Sequence, residues 1–531
     1  MDGTPNYDVA IVGYGPVGAT AANLLGRLGL SVVVIERDPD IYNRARAISI
    51  DEEVMRIWQS VGLAERLQQD MLPGRPVSFV GVNGEPFLQW VIAPQGSGHP
   101  PQQFIYQPAV DEVLREGVQR FRNVDVFLEH ECLGVHPQGD GVELMLADLR
   151  TDTSTQLHAS YVIAADGGSS PIRSQLGVGY QGKTYGQRWL IIDTKVIKEW
   201  DAHDRLRFHC NPSRPTVDCP TPLSHHRWEY PVRPGDDEQK MSSHEEIWKV
   251  LNDQGVTDEN VEILRAVFYS HHVRFADRWR VGRIFLAGDS AHAMPPWIGQ
   301  GMSAGVRDVA NLCWKLAAVL RGQAPESLLD SYETERLPHV AEVTRRATMV
   351  GRLITEPRRW VTTIRDRAAR GAARLPYSMY LVQKCLWIPD AHCADGFFAA
   401  GNPAVGWQLP QPWVVDTRGA TARLDDVLGG QWTMLHTGAL PAGARAWSDL
   451  GVPTIRIEGP EAAAPGEFIR DAGGTLVAWL KAKKAESVVV RPDGFVYAAS
   501  GPGQPLPPPP SGFTGSSAPA PVTPIRREAS A

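Results

Sequence analysis

The sequence predicts an α/β protein: a Rossmann-like dinucleotide-binding domain interrupted by an antiparallel sheet, followed by a smaller α/β unit. Three observations predict it. Residues 7–37 read as strand, glycine turn, helix and strand, with G-x-G-x-x-G spacing at Gly13, Gly15 and Gly18. Between Trp189 and Arg274, short alternating runs are separated by Pro- and charge-rich turns, as in an antiparallel sheet. Near Gly401-Asn402-Pro403 a new set of strand and helix patterns begins.

Asp8 to Val12 is an apolar run suited to a buried parallel strand. Gly13 allows the tight turn, Gly15 lets backbone approach a pyrophosphate, Pro16 and Val17 complete the turn, and Gly18 lets the helix read over Thr20 to Leu28 pack on the strand. The helix N-terminus offers free N–H groups and a positive dipole end to phosphates. Glu36 ends the next strand, at about the 20 residues expected of a carboxylate that accepts a ribose hydroxyl. Arg37 follows it, and Arg44 and Arg46 precede a helix running through about Val61. Residues 77 to 92 predict strands around the turn Asn83-Gly84, and Tyr106-Gln107-Pro108 leads into a helix over 109–120. Strands follow at 124–128 and 142–146.

A second informative block, Tyr161 to Arg173, is an apolar strand ending in Asp166-Gly167, with Ser170 as N-cap and Pro171 opening a helix. Asp166 falls where open α/β sheets place ligand contacts. A third block runs from Arg283 through Gly288-Asp289 to a Pro/Gly loop, Pro295 to Gly301, and a long helix from about Ser303 to Leu320. A carboxylate at that strand end can hold a hydroxyl, and the Gly299–Gly301 loop can turn N–H groups toward an anionic ring. His292 reads as structural, and the helices 332–348 and 358–370 as having solvated basic faces. In the last unit, Trp432–Leu435 predicts a strand, Thr475–Lys484 a helix and Ser487–Ala499 a hairpin; residues 501–531 are Pro-, Gly- and Ser-rich and predict disorder.

Composition narrows the classes. At 531 residues the chain holds about two to four domains. A net charge of −7 gives no basic footprint for nucleic acid. Six scattered cysteines, none in C-x-x-C, indicate neither a zinc site nor a redox pair and suit a cytoplasmic protein. Entry into the first strand within a few residues leaves no room for a signal peptide, and no apolar run is long enough to span a membrane.

Taken together in this order, Gly13–Gly18 with Glu36, Asp166-Gly167 and Gly288-Asp289 resemble the flavin fingerprints of the class A flavoprotein aromatic hydroxylases. Arg46-Ala47-Ile48 with Asp51-Glu52, Tyr106-Gln107-Pro108 and Met294-Pro295-Pro296-Trp297-x-Gly-Gln-Gly resemble the 3-(3-hydroxyphenyl)propionate hydroxylase subgroup. The resemblance extends over residues 7 to 500 and implies FAD held by Gly13, Gly15, Pro16, Val17, Gly18, Glu36, Arg37, Arg46, Gln107, Asp166, Gly288, Asp289, Pro296, Gly299, Gln300, Gly301 and Met302. It implies FAD-binding parts at 1–185 and 276–395, a substrate sheet at 186–275, and a thioredoxin-like domain at 400–500 that lacks C-x-x-C and is redox-silent. Only one dinucleotide motif is present, so NADH or NADPH docks without a domain of its own. The implied reaction uses NAD(P)H and O2 to place a hydroxyl ortho to that of a phenolic acid, with 3-(3-hydroxyphenyl)propionate or 3-hydroxycinnamate the expected substrate. A related hydroxylase of another phenol or a polyketide, and a flavin-binding protein without oxygenation, are the alternatives. Arg188, His209, Arg214, Tyr269 and His271 lie in or beside the expected substrate sheet and are the substrate-binding candidates. No catalytic base and no metal ligand is assigned. The implied partners are the phenol and O2, with a homodimer as the assembly to test.

Overall fold

Residues Asn6–Val12 become a central strand because both faces are apolar: Val9, Ala10 and Ile11 are fully buried. This is a computed structural model, and it describes residues 6–42, 45–462 and 468–525. Asn6–Val12 pairs in parallel with Val32–Ile35 and with Thr153–Ala164. The parallel run extends to Val124–Phe127 at one edge and to Ile284–Leu286 toward the other. Gly141–Asp148 and His130–Gln138 branch from it as antiparallel additions.

Ile284–Leu286 joins this sheet only after the chain has built a second one, which makes the second sheet an insertion. Its order is His292–Ala293, Val261–Ala276, Tyr180–Val196, His225–Pro231, Thr216–Thr221, Leu206–His209, Val77–Val80 and Pro86–Trp90. The hairpin at 77–90 belongs here through parallel pairing of Val77–Val80 with Leu206–His209. Alternation marks those residues as strands but cannot name their partner, and the sequence reading left them in the first domain.

Two helices fix the relation between the sheets. Pro16–Arg27 packs on the parallel sheet, and the buried helix Gly301–Leu320 lies against it. They approach so closely that a Cβ at Gly305 would sit 2.6 Å from Val17 Cγ2. Their N-termini are thereby brought side by side. The helix Ser331–Ile354 does not have a wholly solvated basic face: Arg336 is buried and donates to Asp308 Oδ1 at 3.0 Å.

The last unit is a seven-stranded sheet ordered Thr421–Arg423, Trp413–Val415, Phe468–Asp471, Thr454–Glu458, Thr433–His436, Ser487–Val490, Val496–Ser500. It is joined to the first domain by a buried ion cluster, Lys315, Glu335, Arg491 and Asp493.

Residues 501–525 correct the expectation of disorder. Leu506 and Phe513 are buried in a cluster with Trp432, Trp447 and Tyr497. Trp447 Nε1 donates to the Pro507 carbonyl at 2.8 Å. Farther on, the Thr514 and Ile525 amides donate to the carbonyls of Gln323 and Gly62, on the first domain. A proline-rich chain has less conformational freedom to lose, so two apolar anchors suffice to dock it. Residues 526–531 lie outside the described residues.

Candidate active site

The three glycines of the first turn do different work. At Gly13, φ is +101° and a Cβ would lie 2.4 Å from the Ala165 carbonyl oxygen, so the residue lets two strand ends meet. At Gly18 a Cβ would lie 1.9 Å from Gly13 O, so only glycine lets the helix seat on the turn. At Gly15 a Cβ would meet no atom within 4 Å. Gly15 caps Pro16–Arg27 without a side-chain hydrogen bond, leaving that helix start open. The helix Gly301–Leu320 likewise begins without a side-chain cap. Two positive helix ends therefore face one space.

That space is a cavity of about 310 Å³ between the two helix starts and the second sheet. Of the residues the sequence singled out, it brings together Gly15, Pro16, Val17, Arg46, Gln107, Asp289, Pro296, Gly299, Gly301 and Met302. Gln107 Oε1 accepts from the backbone N–H groups of Arg46 and Ala47 at 2.9 and 2.8 Å, which fixes the loop carrying Arg46. Arg44 of the same loop lies outside the described residues. Gly299 is left-handed, with φ +65°, and a Cβ there would strike Ser49 Oγ.

Two carboxylates are left short of partners. Asp166 Oδ2 accepts from Ile172 N at 3.2 Å, while its buried Oδ1 has no partner among the described residues. Asp289 opens onto the cavity although protein encloses it; burial raises its pKa, against the opposing pull of His292 and Arg46. No described residue donates a hydrogen bond to its carboxylate. Buried polar atoms without partners are uncommon, and Asp166 Oδ1 points to a ligand with hydroxyl or amide donors.

The remaining sequence candidates lie off the cavity wall. Glu36 is half-buried at its strand end, accepting from Tyr14 N at 2.7 Å and Asp38 N at 3.0 Å. Arg37 is exposed, 3.9 Å from Asp38. Gln300 turns inward and accepts from Arg307 Nη1 at 3.1 Å. Gly288, with φ +63°, lies behind Asp289, and its N–H donates to Asp308 Oδ2 at 3.1 Å. His292 is bound to the same Asp308 oxygen at 2.6 Å, within a buried network.

None of the five substrate candidates lines the cavity. Arg188 is exposed and paired with Glu238; Arg214 lies 3.4 Å from Asp236; His209 is bound to Asp218 at 2.7 Å. Each side chain is already engaged by a neighbour. Tyr269 and His271 stand one layer behind the wall. The second sheet instead presents Leu206, Phe208, Val217 and Glu229. Trp297 and Trp387 close the sides, and Gln102 adds an amide whose buried Oε1 has no partner among the described residues. Glu229 is not among the residues the sequence singled out. Its signal was a strand, His225–Pro231, with Arg227 and Glu229 alternating against Trp228 and Tyr230. A larger open groove of about 780 Å³ beside Arg280 is lined by charges paired with each other, Arg280 with Glu326 and Asp330.

Such a site, two helix starts and two strand-end carboxylates around a cavity closed by an inserted sheet, defines a dinucleotide-cofactor enzyme with a separate substrate wall. Comparison with known proteins gives the class its family. The FAD binding domain family matches residues 6–347, and the HcaD C-terminal domain family matches residues 406–506. A 3-(3-hydroxy-phenyl)propionate/3-hydroxycinnamic acid hydroxylase of Burkholderia cenocepacia (strain HI2424) is 33% identical over 507 residues, spanning 92% of this chain and 93% of its own. The enzyme of the same name from Escherichia coli O9:H4 (strain HS) is 33% identical over 512 residues, spanning 93% and 92%. Among solved structures, the flavin-dependent monooxygenase PieE, in complex with FAD and substrate, shares the fold with a TM-score of 0.78 over 93% of this chain and 96% of its own, at 23% identity. The chain belongs to the FAD binding domain family of flavin-dependent aromatic hydroxylases.

The residues present fit FAD. The open space at Gly15 admits a pyrophosphate, the unpaired Asp289 and Asp166 oxygens await hydroxyl or amide donors, and Gly301 and Met302 offer backbone N–H groups to the ring. Among the described residues no helix is long and apolar enough to cross a membrane.

Proposed function

We propose that this protein uses NAD(P)H and O2 to hydroxylate a phenol at the ring carbon next to its hydroxyl, with Gly13–Gly18, Glu36, Arg46, Asp166, Asp289 and Gly299–Met302 holding FAD. The observation that carries the reading is the single cavity that joins a flavin-type cradle to an apolar wall of Leu206, Phe208, Val217 and Trp297. When bound, FAD supplies the redox and oxygen chemistry. The chain's own residues do the rest. Asp289 and Asp166 anchor hydroxyl or amide groups, the helix start at Gly301 stabilises negative charge, and the tryptophans keep water from the reacting ring. The names of the relatives make 3-(3-hydroxyphenyl)propionate and 3-hydroxycinnamate the first substrates to try. On this reading the protein works in the cytoplasm, with the phenol and O2 as its partners.

The test is product analysis by mass spectrometry after incubating the FAD-loaded enzyme with NADH and each phenol. A product one oxygen heavier, with a catechol fragmentation pattern, is expected. Consumption of NADH that yields only peroxide would show a flavin oxidase instead.

A further inference from the structure

Among the described residues, Glu229 is the cavity's one acidic group on the inserted sheet, and its surroundings are arranged around it. It is nine-tenths buried, and its Oε2 accepts from the Tyr269 hydroxyl at 2.9 Å. Tyr269 is in turn 2.8 Å from His271 Nε2. His271 is buried, stacked on Trp189 at 5.4 Å and edge-on to Trp297 at 5.1 Å. Burial pushes its pKa down to about 4, with His272 adding to the effect, so the ring is neutral near pH 7. A neutral His271 with its proton on Nε2 donates to Tyr269, and Tyr269 then donates to Glu229. The chain of bonds has one direction and ends on Glu229, whose pKa burial raises against the opposing pull of Arg227 and the Tyr269 hydroxyl.

The other oxygen, Oε1, is left over. Its nearest cation is Arg227 Nη1 at 3.9 Å, beyond hydrogen-bonding distance. Arg227 is engaged elsewhere: Nε donates to Asp193 Oδ1 at 2.7 Å, Nη2 to the Ala45 carbonyl at 2.6 Å, and Nη1 to the Arg46 carbonyl at 3.2 Å. Arg265 shares that duty, donating to Ala45 O at 3.0 Å. Asp193 and Arg227 thus tie the Arg46 loop to the sheet, and no described residue donates to Glu229 Oε1.

Among the described residues no cation lines the sheet side of the cavity. Arg46 is the only basic residue among the described cavity-lining residues. Its guanidinium lies 4.6 Å over the Tyr42 ring and acts on Asp289, at the cofactor end. Around Glu229 the wall is Leu206, Phe208, Val217 and Trp297, with the unpartnered Gln102 amide on the same cavity. A ligand that satisfies this end brings hydrogen-bond donors and an uncharged ring.

From this we infer that Glu229 Oε1 receives the substrate's phenolic hydroxyl, with Tyr269 and His271 positioning the carboxylate, and that the enzyme binds phenols through hydroxyl and ring without recognising a carboxylate. In the proton step, the phenol O–H bond breaks as an O–H bond forms at Oε1; Tyr269 keeps its own proton. The charge left on the phenol oxygen enriches the ring for attack. The inference rests on the proposed aromatic hydroxylation, yet its test does not need turnover.

The experiment is a binding cycle on the FAD-loaded protein, using m-cresol and toluene as ligands and Glu229→Gln as the variant, with tryptophan fluorescence as the readout. In the wild type the hydroxyl should make m-cresol bind more tightly than toluene, and Glu229→Gln should reduce that advantage roughly tenfold or more, as expected for a charge-assisted hydrogen bond. Toluene affinity and FAD content should not change. An unaltered ratio would overturn the assignment. If Glu229→Gln fails to fold, Tyr269→Phe takes its place: it should lower the ratio by a smaller factor, and no change there overturns the assignment equally. The second arm compares 3-(3-hydroxyphenyl)propionate with its uncharged amide. Affinities within about threefold, less than one charged hydrogen bond supplies, are expected; a tenfold preference for the acid would overturn the claim about the carboxylate. Absence of hydroxylated product from the wild type would refute the reaction, while leaving the binding cycle to stand or fall on its own.

Discussion

The cofactor cavity and the domain junction both bury charge, but they handle it in opposite ways. At the junction every charge has its partner. Glu335 accepts from Arg491 Nη1 and Nη2 at 2.9 Å each and from Asn311 at 2.7 Å, and lies 3.0 Å from Lys315. Arg491 also grips Asp493, which accepts from Trp314 Nε1 at 3.0 Å. Burial alone would raise the Glu335 pKa, yet Arg491 and Lys315 together hold it far below the usual carboxylate range. By contrast, Gln102 Oε1 in the cavity wall and Asp166 Oδ1 beside it are buried with no donor among the described residues, and the Asp289 side chain opens onto the cavity. A fully paired cluster is a joint. Unpaired groups around an enclosed space are the complement of something that binds.

Three measurements probe that contrast, in falling order of expected effect. Glu335→Ala leaves Lys315 and Arg491 buried without a counter-charge and should lower unfolding stability by about 3–5 kcal/mol. Urea denaturation followed by tryptophan fluorescence reads it; a loss under about 1 kcal/mol would mean that water reaches the cluster and that the junction is no joint. Phe513→Ala should cost about 3 kcal/mol in the same assay with FAD affinity unchanged, because the ring packs 5.2 Å from Trp432. A wild-type denaturation curve would return the segment after Ser500 to the status of an undocked tail. Gly15→Ala should raise the FAD dissociation constant about tenfold, or about 1.4 kcal/mol, since the new methyl enters the open space before the helix start. The melting temperature of its apoprotein should stay at the wild-type value, whereas Gly18→Ala, with its 1.9 Å clash, should lower it. If both variants behave alike, Gly15 belongs to the scaffold and not to the binding surface.

What could be read from the chain follows the range of the interactions involved. Ser170 caps its helix by accepting from Arg173 N at 3.0 Å, with Pro171 at the first helical position, as the sequence predicts. The turn at Gly13–Gly18 and the strand-end acids Asp166 and Asp289 were legible for the same reason. Each depends on backbone geometry within a few residues, and a glycine or a capping serine announces that geometry locally. The face that the inserted sheet turns to the cavity was not legible. Arg188, His209 and Arg214 are of the right chemical type, but Glu238, Asp218 and Asp236 already engage them, and no local pattern reveals a partner distant in sequence.

By itself, then, the sequence determined the dinucleotide turn, the order of the three ligand-facing strand ends and the split into sheet, inserted sheet and final unit. Short-range sterics and hydrophobic periodicity specify those features. Only the tertiary structure decided that the hairpin at 77–90 joins the inserted sheet, that the proline-rich segment docks across two domains, and that Glu229 of the inserted sheet lines the cavity while Arg188, His209 and Arg214 do not. Those outcomes depend on which distant surfaces are left to be covered and which charges find partners, and folding settles both together.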